Sequence, residues 1–331
     1  MNESILFSAL TLIFGFVLLV KGADFFVEGS SSVAKKMKVP SIIIGLTIVA
    51  MGTSLPEAAV SISASIQGNN TLAISNAIGS NIFNLMVVIG MCAILSYVPV
   101  EKSTLKKDFP LSVICAALLL ILGYIGMTLG HLDGIILLIL FALFIISMVK
   151  EVTNKRQQAS QADSLQSEST STNNEDKEDD IVEMSSLECL LSIIGGMTAI
   201  VIGGDLVVDS ATSIATAFGL SQTLIGLTIV SMGTSLPELV TSVVAAKKGE
   251  VDMALGNAIG SNIFNILMVL GLTACISPVA FITENIIDIV ILIVFSVIVW
   301  ICAWKKEGLG RKEGIAMVAM YAVYMVYICI R

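Results

Sequence analysis

Residues 45–90 and 226–271 of this 331-residue chain align without a gap and are identical at 27 of 46 positions. The first block reads GLTIVAMGTSLPEAAVSISASIQGNNTLAISNAIGSNIFNLMVVIG and the second GLTIVSMGTSLPELVTSVVAAKKGEVDMALGNAIGSNIFNILMVLG. Weaker matches continue upstream at the same offset of 181 residues, where Gly22, Asp24 and Val27 stand against Gly203, Asp205 and Val208. The chain is two homologous halves, so any fold open to it must use one unit twice.

That unit is built for lipid. Hydrophobic residues make up 56% of the chain and charged ones 13%, with a mean hydropathy of +0.93, against about 45–50% and about 25% in soluble domains. A hydrocarbon layer of about 30 Å takes roughly 20 apolar helical residues to cross. Ten stretches qualify: Ile5 to Ser32, Ser41 to Ile66, Leu72 to Tyr97, Pro110 to Leu129 and Gly134 to Met148, then Leu187 to Ala217, Thr223 to Ala246, Met253 to Ile276, Ile286 to Trp304 and Gly314 to Ile330. The fifth is the shortest. The predicted fold is an all-α polytopic membrane protein whose ten transmembrane helices form two five-helix repeats, residues 1–150 and 187–331. Five is odd, so the second repeat enters from the opposite face and the topology is inverted. Inverted repeats are the plan of secondary transporters with a midplane binding site. A channel needs no such antisymmetry.

Lys and Arg are retained on the cytoplasmic side of membranes. With both termini extracytoplasmic, 16 of the 18 basic residues fall inside. The expected location is the cell (plasma or inner) membrane, and the run after Glu3 lacks the basic flank of a cleaved signal. The segment 151–186 is polar and acidic and reads as a flexible cytoplasmic linker. It holds nine acidic and three basic residues, so most of the chain's net charge of -8 belongs to it. Its run Glu175 to Asp180 reads as a solvated tether. Without clustered basic residues the chain is a poor match for nucleic acid, and nothing in it points to an obligate protein partner. The six cysteines stand singly in apolar segments and read as small buried hydrophobes.

Ala50, Thr53, Ser54 and Glu57 share one helical face at i, i+3, i+4 and i+7, and Ser231, Thr234, Ser235 and Glu238 repeat the pattern. Each glutamate follows a proline, Pro56 or Pro237, which removes a helical hydrogen bond. The carbonyls near Gly52 and Gly233 are expected to be freed for a cation. On the next span Asn76, Ser80 and Asn84 are spaced by four, as are Asn257, Ser261 and Asn265. A lone Ser, Thr or Asn in a membrane helix usually joins helices. An ionised Glu at midspan costs at least about 2.5 kcal/mol and points to function. Hard cations such as Ca²⁺ and Na⁺ suit such oxygen donors, whereas zinc or copper calls for His or Cys. Asp24 and Glu28, with Asp205 and Asp209 opposite, face headgroup water or form an ion-attracting vestibule. Lys21 pairs with Asp24 or snorkels, and His131 is expected to be solvated.

The two GTSLPE segments, each followed by NAIGSNIFN, resemble the alpha repeats of the Ca²⁺:cation antiporter superfamily, in its sodium/calcium exchanger branch. The resemblance covers the whole chain apart from the linker. Proton/calcium exchangers usually carry a Gly-Asn pair ahead of the repeat glutamate, which is absent here. The resemblance implies ion ligands at Glu57, Glu238, Thr53, Thr234, Ser54 and Ser235, backbone carbonyls at Ala50 and Ser231, and a shell completed by Ser80, Asn84, Ser261 and Asn265. Many relatives have Asp where Asn84 or Asn265 stands, so this pocket has two carboxylates. The linker lacks the size and strand patterning of calcium-sensing domains.

The expected function is Na⁺/Ca²⁺ antiport by alternating access, with Ca²⁺ and Na⁺ as transported substrates and no cofactor. The resemblance also implies that the first and sixth spans slide as gates. A proton-coupled cation exchanger using the same glutamates is the alternative. A passive channel fits the antisymmetry poorly, and an enzyme lacks any Ser/His, paired Asp or metal-ligand His motif in the spans.

Overall fold

The computed structural model describes residues 2–68, 70–167, 184–219 and 231–330, without the side chains of residues 2–4, 70, 71, 155–167 and 231. Fifteen helices appear among them. In the first half they are α1 (Asn2–Met37), α2 (Ser41–Thr53), α3 (Leu55–Ile66), α4 (Asn70–Phe83), α5 (Ile89–Leu95), α6 (Lys102–Lys106), α7 (Asp108–Tyr124) and α8 (His131–Ser167). In the second they are α9 (Ser186–Ala217), α10 (Ser231–Gly233), α11 (Leu236–Lys247), α12 (Val251–Phe264), α13 (Leu270–Ile276), α14 (Thr283–Lys306) and α15 (Arg311–Ile330).

Among the described residues seven helical stretches are long and apolar enough to cross a bilayer, and α2 with α3 makes an eighth bent by 47°. The packing is that of a protein in lipid. Large side chains such as Phe7, Phe14, Ile139, Val294 and Val323 face outward, while Glu57, Ser61, Asn81, Asn84, Glu238 and Asn257 are fully buried. In lipid the backbone must satisfy itself, so helices dominate.

Two short ribbons stitch the halves together. Strand β1 (Val98–Pro99) pairs antiparallel with β4 (Gly308–Leu309), and β2 (Thr128–Leu129) with β3 (Val279–Ala280). Moving β1 by 181 residues gives β3 and moving β2 by 180 gives β4, so each ribbon is the repeat image of the other. The long helices α1 and α9 do the same. A Cβ on Gly15 would lie 3.0 Å from the Gly203 carbonyl oxygen and one on Gly22 2.8 Å from that of Gly196, an antiparallel seam in which only glycine lets the backbones meet.

Several expectations are corrected. The fifth span is not the shortest, because α8 runs for 37 residues to Ser167 and carries helix well into the predicted linker. Residues 151–167 contain no Gly or Pro, and four Gln, two Ala and one each of Leu, Lys, Arg and Glu among them propagate helix into water. Glu151, at the start of that segment, holds Lys107 at 2.7 Å. Residues 168–183, with the acidic run, and residues 220–230, at the start of the seventh stretch, lie outside the described residues. Of the cysteines, Cys92, Cys115 and Cys189 are buried, whereas Cys275 and Cys302 are intermediate and Cys329 exposed. His131 is exposed but bonds through Nδ1 to the Cys275 carbonyl at 3.2 Å. Lys21 does approach Asp24, at 3.7 Å. Asp24 and Glu28 are both reached by Lys248, at 3.6 and 3.7 Å.

Candidate cation-binding site

The site grows from two helix breaks. After Thr53 the backbone at Ser54 turns to φ -84, ψ 9, and α3 restarts with Pro56 in its first turn, where no N–H is missed. Ser235 does the same at φ -93, ψ 6 ahead of α11 and Pro237. Each break aims the hydroxyl before the proline and the glutamate after it into the protein centre. The Gly52 carbonyl is not left free as expected: backbone N–H groups at the Ser54 cap bond the carbonyls of Ala50 and Gly52.

The two breaks grip each other. Ser54 donates to Oε1 of Glu238 at 2.8 Å, and Ser235 donates to Oε1 of Glu57 at 3.0 Å. The threonines follow, Thr53 to Asn257 Oδ1 at 3.0 Å and Thr234 to Asn76 Oδ1 at 3.5 Å. The amide of Asn76 donates to Ser61 at 3.1 Å and to the Glu57 carbonyl at 3.3 Å, and that of Asn257 to Ser242 at 2.9 Å and the Glu238 carbonyl at 3.4 Å. Every bond has its counterpart with the halves exchanged.

Asn81 donates to the Asn262 carbonyl at 3.1 Å and Asn262 returns a bond to the Asn81 carbonyl at 3.2 Å. Asn265 donates to Asn81 Oδ1 at 3.1 Å, and Ser261 to the Ala50 carbonyl at 3.5 Å. Asn84 and Asn265 each begin a π turn, Asn84–Val88 and Asn265–Val269. Such one-turn widenings frequently mark functional sites.

A group of buried oxygens is left over. Oε2 of Glu57, Oε2 of Glu238, the Ser80 and Thr241 hydroxyls and Oδ1 of Asn84, Asn262 and Asn265 are among the buried side-chain atoms with no hydrogen-bond partner among the described residues, as is Nδ2 of Asn84. Buried polar atoms nearly always have one, and each exception asks for an explanation. Oxygen atoms of carboxylates, hydroxyls and amides are a hard-cation donor set.

Thr53, Ser54 and Glu238 thus share one hydrogen-bonded network and Thr234, Ser235 and Glu57 its counterpart, while Ser80, Asn84, Ser261, Asn265 and Ala50 are buried on neighbouring helical segments. The Ala50 carbonyl accepts from Ser54 N–H at 3.1 Å and so is engaged by its own helix. The side chain of Ser231 is outside the described residues. Sequence reasoning passed over Asn81 and Asn262, although both lie in the repeated NAIGSNIFN; the i+4 spacing rule that selected Ser80 and Asn84 skips them. It also passed over Ser61 and Ser242.

The family model described as "Sodium/calcium exchanger protein" matches residues 7–150 and 189–330. Among curated relatives, the sodium/calcium exchanger MaX1 of Methanosarcina acetivorans is 34% identical over 96% of this chain and 97% of its own. The inner membrane protein YrbG of Escherichia coli is 33% identical over 95% and 94%, and the putative antiporter CaxA of Alkalimonas amylolytica 39% over 82% of each chain. A solved structure of the sodium-calcium exchanger NCX_Mj, soaked with zero Na⁺ and Ca²⁺, superposes with a TM-score of 0.81 at 31% identity over 98% of this chain and 99% of that one. MaX1, CaxA and NCX_Mj carry the names of exchangers or antiporters, which are transporters and not enzymes. The chain belongs to the sodium/calcium exchanger branch of the Ca²⁺:cation antiporters, integral multi-pass membrane proteins that carry out cation exchange.

Proposed function

We propose that this protein exchanges Na⁺ for Ca²⁺ across the cell membrane by alternating access, with Glu57 and Glu238 as the charged ligands. The observation that carries the reading is the pair of unpartnered carboxylate oxygens, one per half, in a buried cluster rich in neutral oxygens. Thr53, Thr234, Ser54, Ser235, Ser80, Asn84, Ser261 and Asn265, with backbone oxygen from Ala50 and Ser231, are the remaining ligands of this reading.

Charge arithmetic supplies the coupling. The empty pocket carries two buried negative charges, costly to move through lipid unaccompanied. One Ca²⁺ or two Na⁺ neutralise it, and a third Na⁺ leaves one positive charge. With three Na⁺ per Ca²⁺ each cycle moves one net charge, worth about 2.3 kcal/mol per 100 mV.

In this reading the chain crosses the membrane ten times as two inverted five-helix repeats, with both termini extracytoplasmic and the linker cytoplasmic. The antiparallel pairing of α1 with α9 supports the inversion, and the lysine distribution supports the orientation. The α1 and α9 pair is then the element that slides.

Uptake of ⁴⁵Ca²⁺ into proteoliposomes under an imposed Na⁺ gradient, with and without a protonophore, tests the coupling. Uptake that requires the Na⁺ gradient and ignores the protonophore is expected. Uptake driven by a pH gradient and indifferent to Na⁺ assigns the same glutamates to proton exchange instead. Glu57→Gln and Glu238→Gln should each abolish exchange in protein that still inserts and folds.

A further inference from the structure

Between α7 and α8 runs a groove of about 480 Å³, walled by Ile114, Cys115, Leu140 and Phe144 and bearing Lys106, Lys107 and Asp108 at one end. It lies outside the cation site, and the second half supplies an internal comparison. At an offset of 180 residues the buried Asp108, Phe109 and Leu119 of α7 fall on the buried Asp288, Ile289 and Val299 of α14, and Gly134 falls on Gly314. In that register Cys115 corresponds to Phe295, Phe144 to Tyr324 and Ser147 to Tyr327.

The counterpart cleft is occupied by rings. Phe295 meets Tyr324 edge to face with centroids 6.4 Å apart, and Tyr324 lies 6.5 Å from Tyr327. Where the second half has two of those rings the first has a thiol and a hydroxyl, and the missing volume is the groove. The ends differ too: Lys106 and Lys107 correspond to Ile286 and Ile287. Lys107 leans on Glu151 at 2.7 Å, while the exposed Lys106 also borders a second hollow of about 250 Å³ beside Lys102 and Trp304.

An apolar slot on a bilayer-facing surface, closed at one end by paired ammonium groups, matches an acyl chain joined to a negatively charged headgroup. Lysines near a membrane surface attract anionic lipid. We infer that the groove seats one chain of an anionic phospholipid, with its phosphate against Lys106 and beside Lys107. The carboxylates of Asp108 and Glu151 flank the same end and leave Lys106 as the principal contact.

Native mass spectrometry of the full chain in detergent, titrated with phosphatidylglycerol or phosphatidylcholine, tests this. Wild type should retain one phosphatidylglycerol with a preference of about fivefold or more, the worth of one lysine at an anionic surface. Lys106→Gln should bring the two lipids to parity. The double variant Cys115→Phe, Ser147→Tyr, which copies the second half, should keep its melting temperature and lose the retained lipid. Equal retention of both lipids by wild type overturns the proposal, as does full phosphatidylglycerol retention by the filled variant. Should the filled variant not fold, an unchanged preference in Lys106→Gln overturns it alone.

Discussion

The hydroxyl of Ser54 donates to Oε1 of Glu238 at 2.8 Å, so a residue of the first half holds the carboxylate of the second. A hydrogen bond to an ionised group contributes about 1.5–3 kcal/mol. Ser54→Ala should therefore raise the Ca²⁺ concentration for half-maximal uptake about tenfold or more. The same loss is expected from Ser235→Ala, whose hydroxyl serves Glu57. A silent variant beside an inactive one would show that the two bonds are not equivalent.

Asn84 is buried with neither side-chain oxygen nor nitrogen partnered among the described residues. Asn84→Asp adds a third carboxylate to the cluster. Calorimetric Ca²⁺ affinity should rise more than about tenfold, since even a well-screened charge a few ångströms away contributes kilocalories. Currents on a supported membrane should report a changed net charge per Ca²⁺. Unaltered affinity would remove Asn84 from the pocket.

The α1 and α9 seam makes a prediction with its control next door. A Cβ on Gly196 would lie 2.6 Å from the Phe26 nitrogen, while one on Gly195 meets nothing within 4 Å. Gly196→Ala should cost about 1–3 kcal/mol as overpacking, and Gly195→Ala should be close to neutral. Thermal unfolding of the purified protein separates them, and equal melting temperatures would contradict the seam.

Glu250 accepts hydrogen bonds from Ser31 and from Ser41, the latter at 2.7 Å, and Lys248 reaches Asp24 and Glu28. Together they pin the turn between α11 and α12 to the ends of α1 and α2. At the repeat offset Lys248 corresponds to Gln67, and Asp205 and Asp209 are exposed. The pin thus belongs to one end of the molecule. The ion pairs are partly exposed and worth at most about 1 kcal/mol each, so Glu250→Ala should act more strongly than Lys248→Gln. Hydrogen exchange across residues 31–41 should quicken in that order.

The repeat and the apolar runs made the helical membrane character legible, because ordered ladders of apolar residues have few other uses. Glu57 and Glu238 were legible for a different reason: charge is rare at that depth, and each carries a proline beside it. The mutual bond of Asn81 and Asn262 was not, since a residue that touches its own repeat image across the centre leaves no spacing pattern within either half. Nor were the ribbons. Two-residue strands such as Val98–Pro99 are set by what arrives from the other half and not by local preference. The extension of α8 is not legible from hydrophobicity, because a polar segment can be helical in water when it lacks Gly and Pro and includes helix formers such as Gln, Ala and Leu.

The ribbons also say something about biogenesis. Val98 waits for Leu309, so the edge left by the first half stays unpaired until nearly the whole chain has been made. Thr128 in turn waits for Ala280. Contacts between such distant points are slow to close and come late. Truncation before Gly308 should then leave a first half that inserts but does not mature, and co-expressing the two halves as separate chains should restore it.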